Sequence, residues 1–136
     1  MDELAELKEK FIIEMGKYEK ENLAELVKRT MNFCVVDKSG KVVITFKRLT
    51  DKEQIKIALI ARFLASELTK GNIPREVTAE ELVLSLKQKK SIIAARLKEI
   101  KDEGDAERLS RGTYTITSYK LTKMLDELEK KILSKK

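Results

Sequence analysis

The chain has 136 residues, enough for one domain with extensions but short for two independent cores. Its 29 Lys+Arg against 23 Asp+Glu give a net charge of +6 and a pI near 9.3, a mild excess that fits a nucleic-acid partner without requiring one. There is no histidine, which removes His-based acid–base catalysis, Ser-His-Asp nucleophiles and Cys/His zinc sites together.

Charged residues make up 38%, with two Gln, three Asn and one Cys, a thermophile-like balance in which short lysine clusters also arise by chance. Cys34 lies in an apolar run and reads as a small buried hydrophobe of a reducing cytosol. The first ten residues are charged throughout, so no secretory signal is expected. The longest apolar run, residues 57–61, is far too short for a membrane span.

In chain order, Leu4, Leu7, Phe11, Met15 and Tyr18 recur at 3–4 spacing, so residues 2–31 read as amphipathic helix, divisible near Gly16 and residues 19–22. Leu23, Leu26, Val27 and Met31 continue the stripe. Residues 33–36 and 41–46 are β-branched and aromatic-rich, and Asp37-Lys38-Ser39-Gly40 between them predicts a hairpin turn. Thr50-Asp51-Lys52-Glu53 is a capping box, in which hydroxyl and carboxylate each satisfy an orphaned backbone N–H. It opens a helix expected to end near Gly71. Ile55, Ile57, Leu59, Ile60, Phe63, Leu64 and Leu68 fall on more than one face of it, which predicts a central helix buried on both sides. Asn72-Ile73-Pro74 is a turn.

Thr78-Ala79-Glu80-Glu81 reads as a second capping box, starting a helix with Leu82, Val83 and Leu86 inward. Ile93, Leu97 and Ile100 form the core stripe of the next helix, and Gly104 stands where a left-handed C-cap belongs. Residues 108–109 and 113–116 are expected to pair across Ser110-Arg111-Gly112. Leu121, Leu125, Leu128 and Ile132 mark a seam at 4-3-4 spacing in a C-terminal helix. That seam suits the chain's own core or a two-fold mate, and a homodimer through it is the expectation, with the N-terminal helix as the other candidate.

No acid intervenes between Glu81 and Glu99, while Lys87, Lys89 and Lys90 occupy the turn and the start of the second helix, followed by Arg96 and Lys98. A helix N-terminus carries about half a positive charge, so cations there are unfavourable by ~0.3–1 kcal/mol each. A capping Ser, Thr or Asp would serve the helix better, and phosphate binding by lysines and backbone N–H groups would explain the choice. The bland alternative is solvated lysines in a lysine-rich chain. With Ile93, Leu97 and Ile100 inward, Ser91, Ala94, Ala95 and Lys98 face outward. The alanines would let backbone approach a groove, and Ser91 or Lys98 would reach base edges. Arg111 at the hairpin tip, with Arg108 behind it, would reach a minor groove. Tyr114 is expected to pack on the core.

Helix, helix–turn–helix and two-stranded hairpin in this order resemble the winged helix-turn-helix family of archaeal and bacterial transcriptional regulators, over residues 50–117. Leu86, Lys90, Ser91, Ile93, Arg96 and Leu97 fall on matching positions of the family's helix–turn–helix pattern. Residues 97–104 resemble its segment before the wing, and Glu107-Arg108 and Arg111-Gly112 resemble the wing. The chain departs from the pattern at Lys87, in place of the turn glycine, at the following Gln88, and at Asp105, in place of an apolar residue.

The resemblance implies a mainly α (α+β) winged helix-turn-helix at 50–117, with an N-terminal helix and hairpin extension at 1–49 and a C-terminal amphipathic helix at 118–136. It implies a cytoplasmic, homodimeric protein that binds double-stranded DNA, sequence-specifically or architecturally, as a transcriptional regulator or chromatin-associated factor rather than an enzyme, with no cofactor, no metal and no membrane partner. The alternatives are a winged helix used as a protein-interaction module in a larger assembly, or an RNA-binding accessory protein.

Overall fold

The computed structural model describes residues 3–11 and 23–134, with side chains for residues 3–8 and 23–131. Among them it is an α+β chain, 58% helical and 15% strand. Helix α1 is Glu3–Phe11 and α2 is Leu23–Thr30. The division expected near Gly16 and residues 19–22 lies outside the described residues, as do Met15, Tyr18 and the side chain of Phe11.

Strands β1 (Cys34–Val36) and β2 (Val42–Ile44) form the expected hairpin, in register Cys34↔Ile44, with Gly40 at φ +96° closing its turn. Asp37 organises that turn by accepting from the Ser39 and Lys41 N–H groups and the Ser39 hydroxyl. The Ser39 hydroxyl, the Lys41 N–H and the other turn amides hold its carboxyl below the usual range.

The central helix α3 is Asp51–Leu68, three residues shorter than expected because Thr69 caps it and Lys70 and Gly71 turn left-handed. Its capping box forms in full: Glu53 N–H donates to Thr50 Oγ1 and Thr50 N–H to Glu53 Oε1. Ile55, Ile57, Leu59 and Ile60 are completely buried, and Phe63 and Leu64 nearly so. Leu68, assigned to the core by its spacing, is instead exposed. A helix apolar around most of its girth needs cover on both sides. The α2–β1–β2 unit covers one side, and helices α4 (Ala79–Leu86) and α5 (Lys90–Asp102) with the second sheet cover the other.

That sheet has three strands in the order β3-β5-β4: β3 (Val77–Thr78), β4 (Ala106–Ser110) and β5 (Thr113–Ile116). The two-residue β3 has no counterpart in the sequence reading. The second capping box is only half made. Thr78 Oγ1 accepts from Glu81 N–H, but the Glu81 carboxylate turns to the buried Arg62 instead of the cap.

A 3₁₀ turn, Ser118–Lys120, leads into α6 (Leu121–Ser134). Here the expectation of a dimer through the C-terminal seam needs correcting. Leu121, Leu125 and Leu128 are buried with Met124 in the chain's own core, and the Ile132 side chain lies outside the described residues. The apolar seam of α6 therefore seals α3 rather than a mate. Ion pairs fix it there, Arg29 with Asp126 and Glu129, and Lys131 with Glu53 at 2.8 Å. The Glu129 carboxylate, against the desolvation of Arg29 and with Asp126 in support, raises the Arg29 pKa above its ordinary value. Burial pushes the Glu53 carboxyl up, but Lys131 and the Thr50 N–H outweigh it and its pKa lies below the ordinary value.

Cys34 is 1% exposed, and burial pushes its thiol up to about 12. It is expected to resist thiol reagents at neutral pH and to react fully once guanidinium unfolds the chain. Rapid labelling of the native protein would show that the apolar cleft around Cys34 opens readily.

Candidate nucleic-acid interface

The turn joining α4 to α5 is Lys87-Gln88-Lys89. Lys87 ends α4 in the left-handed conformation that favours glycine: φ +57°, ψ +39°, with its N–H bonded to Val83 O. Gln88 ties the turn to the start of α3 by donating to Gln54 Oε1 and, more weakly, to Asp51 O. Lys89 is the N-cap of α5 and its side chain makes no capping bond. The first turn of α5 therefore begins with lysines at Lys89 and Lys90 and no acid.

Ile93, Leu97 and Ile100 are fully buried, which turns Ser91, Ala94, Ala95 and Lys98 outward, and all four are exposed as expected. The two flanks of α5 then differ sharply. On the flank toward the start of α3, Arg96 pairs with Glu99, while Lys52 reaches Glu103 at 2.6 Å and Glu99 at 3.6 Å. Arg96, which the sequence reading placed in the basic cluster, thus shares its charge with Glu99 in a partly exposed ion-pair network. The Glu103 carboxylate raises the Lys52 pKa against its partial desolvation, and Lys52 lowers that of Glu103.

The other flank faces the β4–β5 hairpin across a cleft of about 520 Å³, lined by Thr78, Glu80, Lys90, Ala94, Arg111 and Tyr114 among others. Two long-range links place Arg111 there. Strand β3 pairs with β5 in register Val77↔Tyr114, and Ala79 N–H donates to Gly112 O at 2.8 Å. The hairpin is thereby tied to the start of α4 at its tip. Lys90, Ala94 and Arg111 meet across this cleft, with Lys87 and Lys89 just before it in the turn. Arg108 sits opposite Tyr114 on β4, exposed and outside the cleft lining. Tyr114 is half-buried and packs on the core as expected.

None of the ion pairs among the described residues uses Lys87, Lys89, Lys90, Lys98, Arg108 or Arg111, although cations elsewhere (Arg29, Lys52, Lys56, Arg62, Arg96, Lys120, Lys131) find carboxylates. Two acids bound the region, Glu80 in the cleft and the exposed Asp102 at the end of α5. Glu80, Thr78 and Thr113 line the cleft without having been assigned to the interface from the sequence. Thr78 was legible as a cap, but only the β3–β5 pairing brings it and Thr113 to the cleft.

The left-handed Lys87 separates structural from functional demands. An L-residue there is strained relative to glycine, so Lys87→Gly is expected to stabilise the fold by ~0.5–1 kcal/mol in urea titration. Lys70, also left-handed at φ +54° but at the far end of α3, should give a similar gain. Of the two, Lys87→Gly alone should weaken binding of a polyanion. A Lys87→Gly variant that is less stable than wild type would show that this lysine serves the fold.

No helix among the described residues is long and apolar enough to cross a membrane. The chain matches no family model, and no curated protein or solved structure is significantly similar to it.

Proposed function

We propose that this chain binds double-stranded DNA as a winged helix-turn-helix transcriptional regulator, with α5 in the major groove and the β4–β5 hairpin against the adjoining backbone and minor groove. The observation that carries the reading is the uncapped start of α5. Lys89 and Lys90 stand where an acid or hydroxyl would stabilise the helix, beside a strained Lys87 and across a cleft from Arg111, all outside the described ion pairs. Cations that find no internal carboxylate and oppose the helix dipole are accounted for by a phosphate that meets lysines and backbone N–H groups together. The exposed Ser91, Ala94, Ala95 and Lys98 then form a face small enough to approach base edges. Two chains related by a two-fold axis, reading two half-sites one helical turn apart, belong to the same proposal.

The test is fluorescence anisotropy of the full chain on duplex DNA across a salt series, with duplex RNA in parallel. Binding that weakens steeply with salt, and favours DNA, is the expected outcome. Binding no tighter at low salt than the non-specific range, roughly 10⁻⁴–10⁻⁶ M, would overturn it. Exposed Leu84 on α4 would then speak for a protein-interaction module.

A further inference from the structure

The most apolar of the clefts found among the described residues lies away from the basic face, at the carboxyl end of α3. It is a cleft of about 310 Å³ between α2, β1 and α3, lined by Val27, Met31, Val35, Leu64, Leu68 and Ile73 among others. Its polar atoms are already satisfied from within. Thr30 Oγ1 donates to Leu26 O, Thr69 Oγ1 donates to Ala65 O and accepts from Ile73 N–H, and the Cys34 thiol reaches Thr30 O. An occupant therefore gains nothing from hydrogen bonding and must be apolar.

The rim is apolar as well. Met31, Val35 and Leu68 are exposed at 58%, 45% and 57%, and Val43, paired directly with Val35 across the hairpin, extends the patch. A small ligand would be enclosed by walls. Large side chains standing out around an apolar floor suit a macromolecular face.

The same chain carries an apolar helix face for it. In α1, Leu4 and Leu7 are exposed and share one face with position 11, at the i, i+3, i+7 spacing by which a helix seats in a groove. Charge is complementary too. Residues 1–22 hold seven acids (Asp2, Glu3, Glu6, Glu9, Glu14, Glu19, Glu21) and four lysines (Lys8, Lys10, Lys17, Lys20), a net −3, whereas the whole chain is +6. Exposed Lys28 and Lys70 adjoin the lining residues Val27 and Thr69.

We propose that the apolar cleft between α2, β1 and α3 receives helix α1 from a second copy of this chain, so that two copies exchange their N-terminal helices. The seam of α6 is spent on the chain's own core, which leaves this face for the assembly. The cleft lies at the opposite end of α3 from the turn that Gln88 ties to Asp51 and Gln54, so an exchanged pair leaves both basic faces open.

Sedimentation velocity of the full chain at micromolar concentration should give a mass twice 15.6 kDa, unchanged in high salt. Leu68→Glu and Leu7→Glu, both at exposed positions, should each return the mass to 15.6 kDa with an unaltered far-ultraviolet spectrum. Leu84→Glu, at an equally exposed leucine on α4, should leave the pair intact. In a second test, Leu7→Cys and Leu68→Cys proteins are mixed under mild oxidation. They should cross-link faster together than either does alone, because buried Cys34 stays out of the reaction. A monomeric wild type overturns the proposal, whether α1 folds back on its own cleft or a small apolar ligand fills it. A dimer broken by Leu68→Glu but not by Leu7→Glu also overturns it, in favour of direct contact between two clefts. Loss of pairing with salt-dependent DNA binding retained would remove this inference and leave the DNA reading standing.

Discussion

The DNA affinity of a Lys90→Ala/Arg111→Ala double variant is expected to respond far less to salt than that of the wild type. Each Lys or Arg that meets a phosphate releases condensed counterions, and the log–log slope is about −0.9 per contact. If Lys87, Lys89, Lys90, Lys98 and Arg111 all reach phosphates, the slope is about −4.5, and a fourfold rise in salt weakens binding roughly 500-fold. Removing the two cations that face each other across the cleft leaves about −2.7, and the same rise then costs roughly 40-fold. Lys123→Ala, at an exposed lysine of α6, is the control and should keep the wild-type slope. Ser91→Ala should act differently, relaxing preference at individual base pairs by ~1–3 kcal/mol wherever its hydroxyl reads an edge. Arg111→Ala alone should matter most on A·T-rich flanks, where a narrow minor groove concentrates negative potential. Anisotropy titrations at several salt concentrations separate these effects. A double variant with the wild-type slope would mean that the cleft does not hold the backbone.

The two members of that cation pair differ in how far the sequence alone could place them. Lys90 was legible because a helix start is a local event: the missing cap and the reversed dipole preference are visible in three residues. The position of Arg111 rests on Ala79 N–H meeting Gly112 O and on a two-residue strand too short to show any alternation. Those are contacts between residues more than thirty apart, which no local pattern encodes. Arg96 shows a related effect. It shares a run of cations with its neighbours, yet the helical period sets it on the flank of Glu99, and the i, i+3 pair won. Glu81 likewise satisfied a local rule for a capping box and was drawn away by a buried arginine nineteen residues earlier. The α6 seam was compatible with either a core or a mate. The girth of α3 decided it, because a helix apolar on most sides needs α6 as part of its cover. Where the sequence succeeded, as in the Thr50 box, the Asp37–Gly40 turn and the α5 core stripe, the cause and the effect lie within one turn of chain.

Arg62→Met should be among the most damaging single changes in the fold, destabilising it by about 3–5 kcal/mol. Arg62 is 4% exposed and its guanidinium serves three backbone carbonyls and one carboxylate. Nε donates to Pro74 O at 2.9 Å, Nη2 to Glu76 O at 3.0 Å and Nη1 to Gly40 O at 3.2 Å, and Nη1 also pairs with Glu81. One side chain of the central helix thereby fixes the β1–β2 turn, the segment leading into β3 and the first turn of α4. Methionine fills similar volume but offers no donor. The Glu81 carboxylate is half in solvent and will hydrate when abandoned. The loss therefore comes chiefly from carbonyls left without partners, at ~1–3 kcal/mol for each that water cannot reach. Glu81→Gln, which keeps an acceptor and removes only the charge, should cost about 1 kcal/mol. Gly40→Ala should add strain at the same junction. At φ +96° its new Cβ would stand 3.2 Å from Ile73 Cγ2 and 3.5 Å from Arg62 Cζ. For a chain of this size, 3–5 kcal/mol corresponds to a fall in Tm of roughly 10–20 °C. Calorimetry, with urea titration alongside, measures it directly. Well below its own Tm the Arg62→Met protein should keep the wild-type salt slope on DNA, because no cation of the basic face touches Arg62. A loss under 1 kcal/mol would mean that water replaces the guanidinium at all three carbonyls, and that the junction is held by the apolar contacts of Ile73 and Val77 instead.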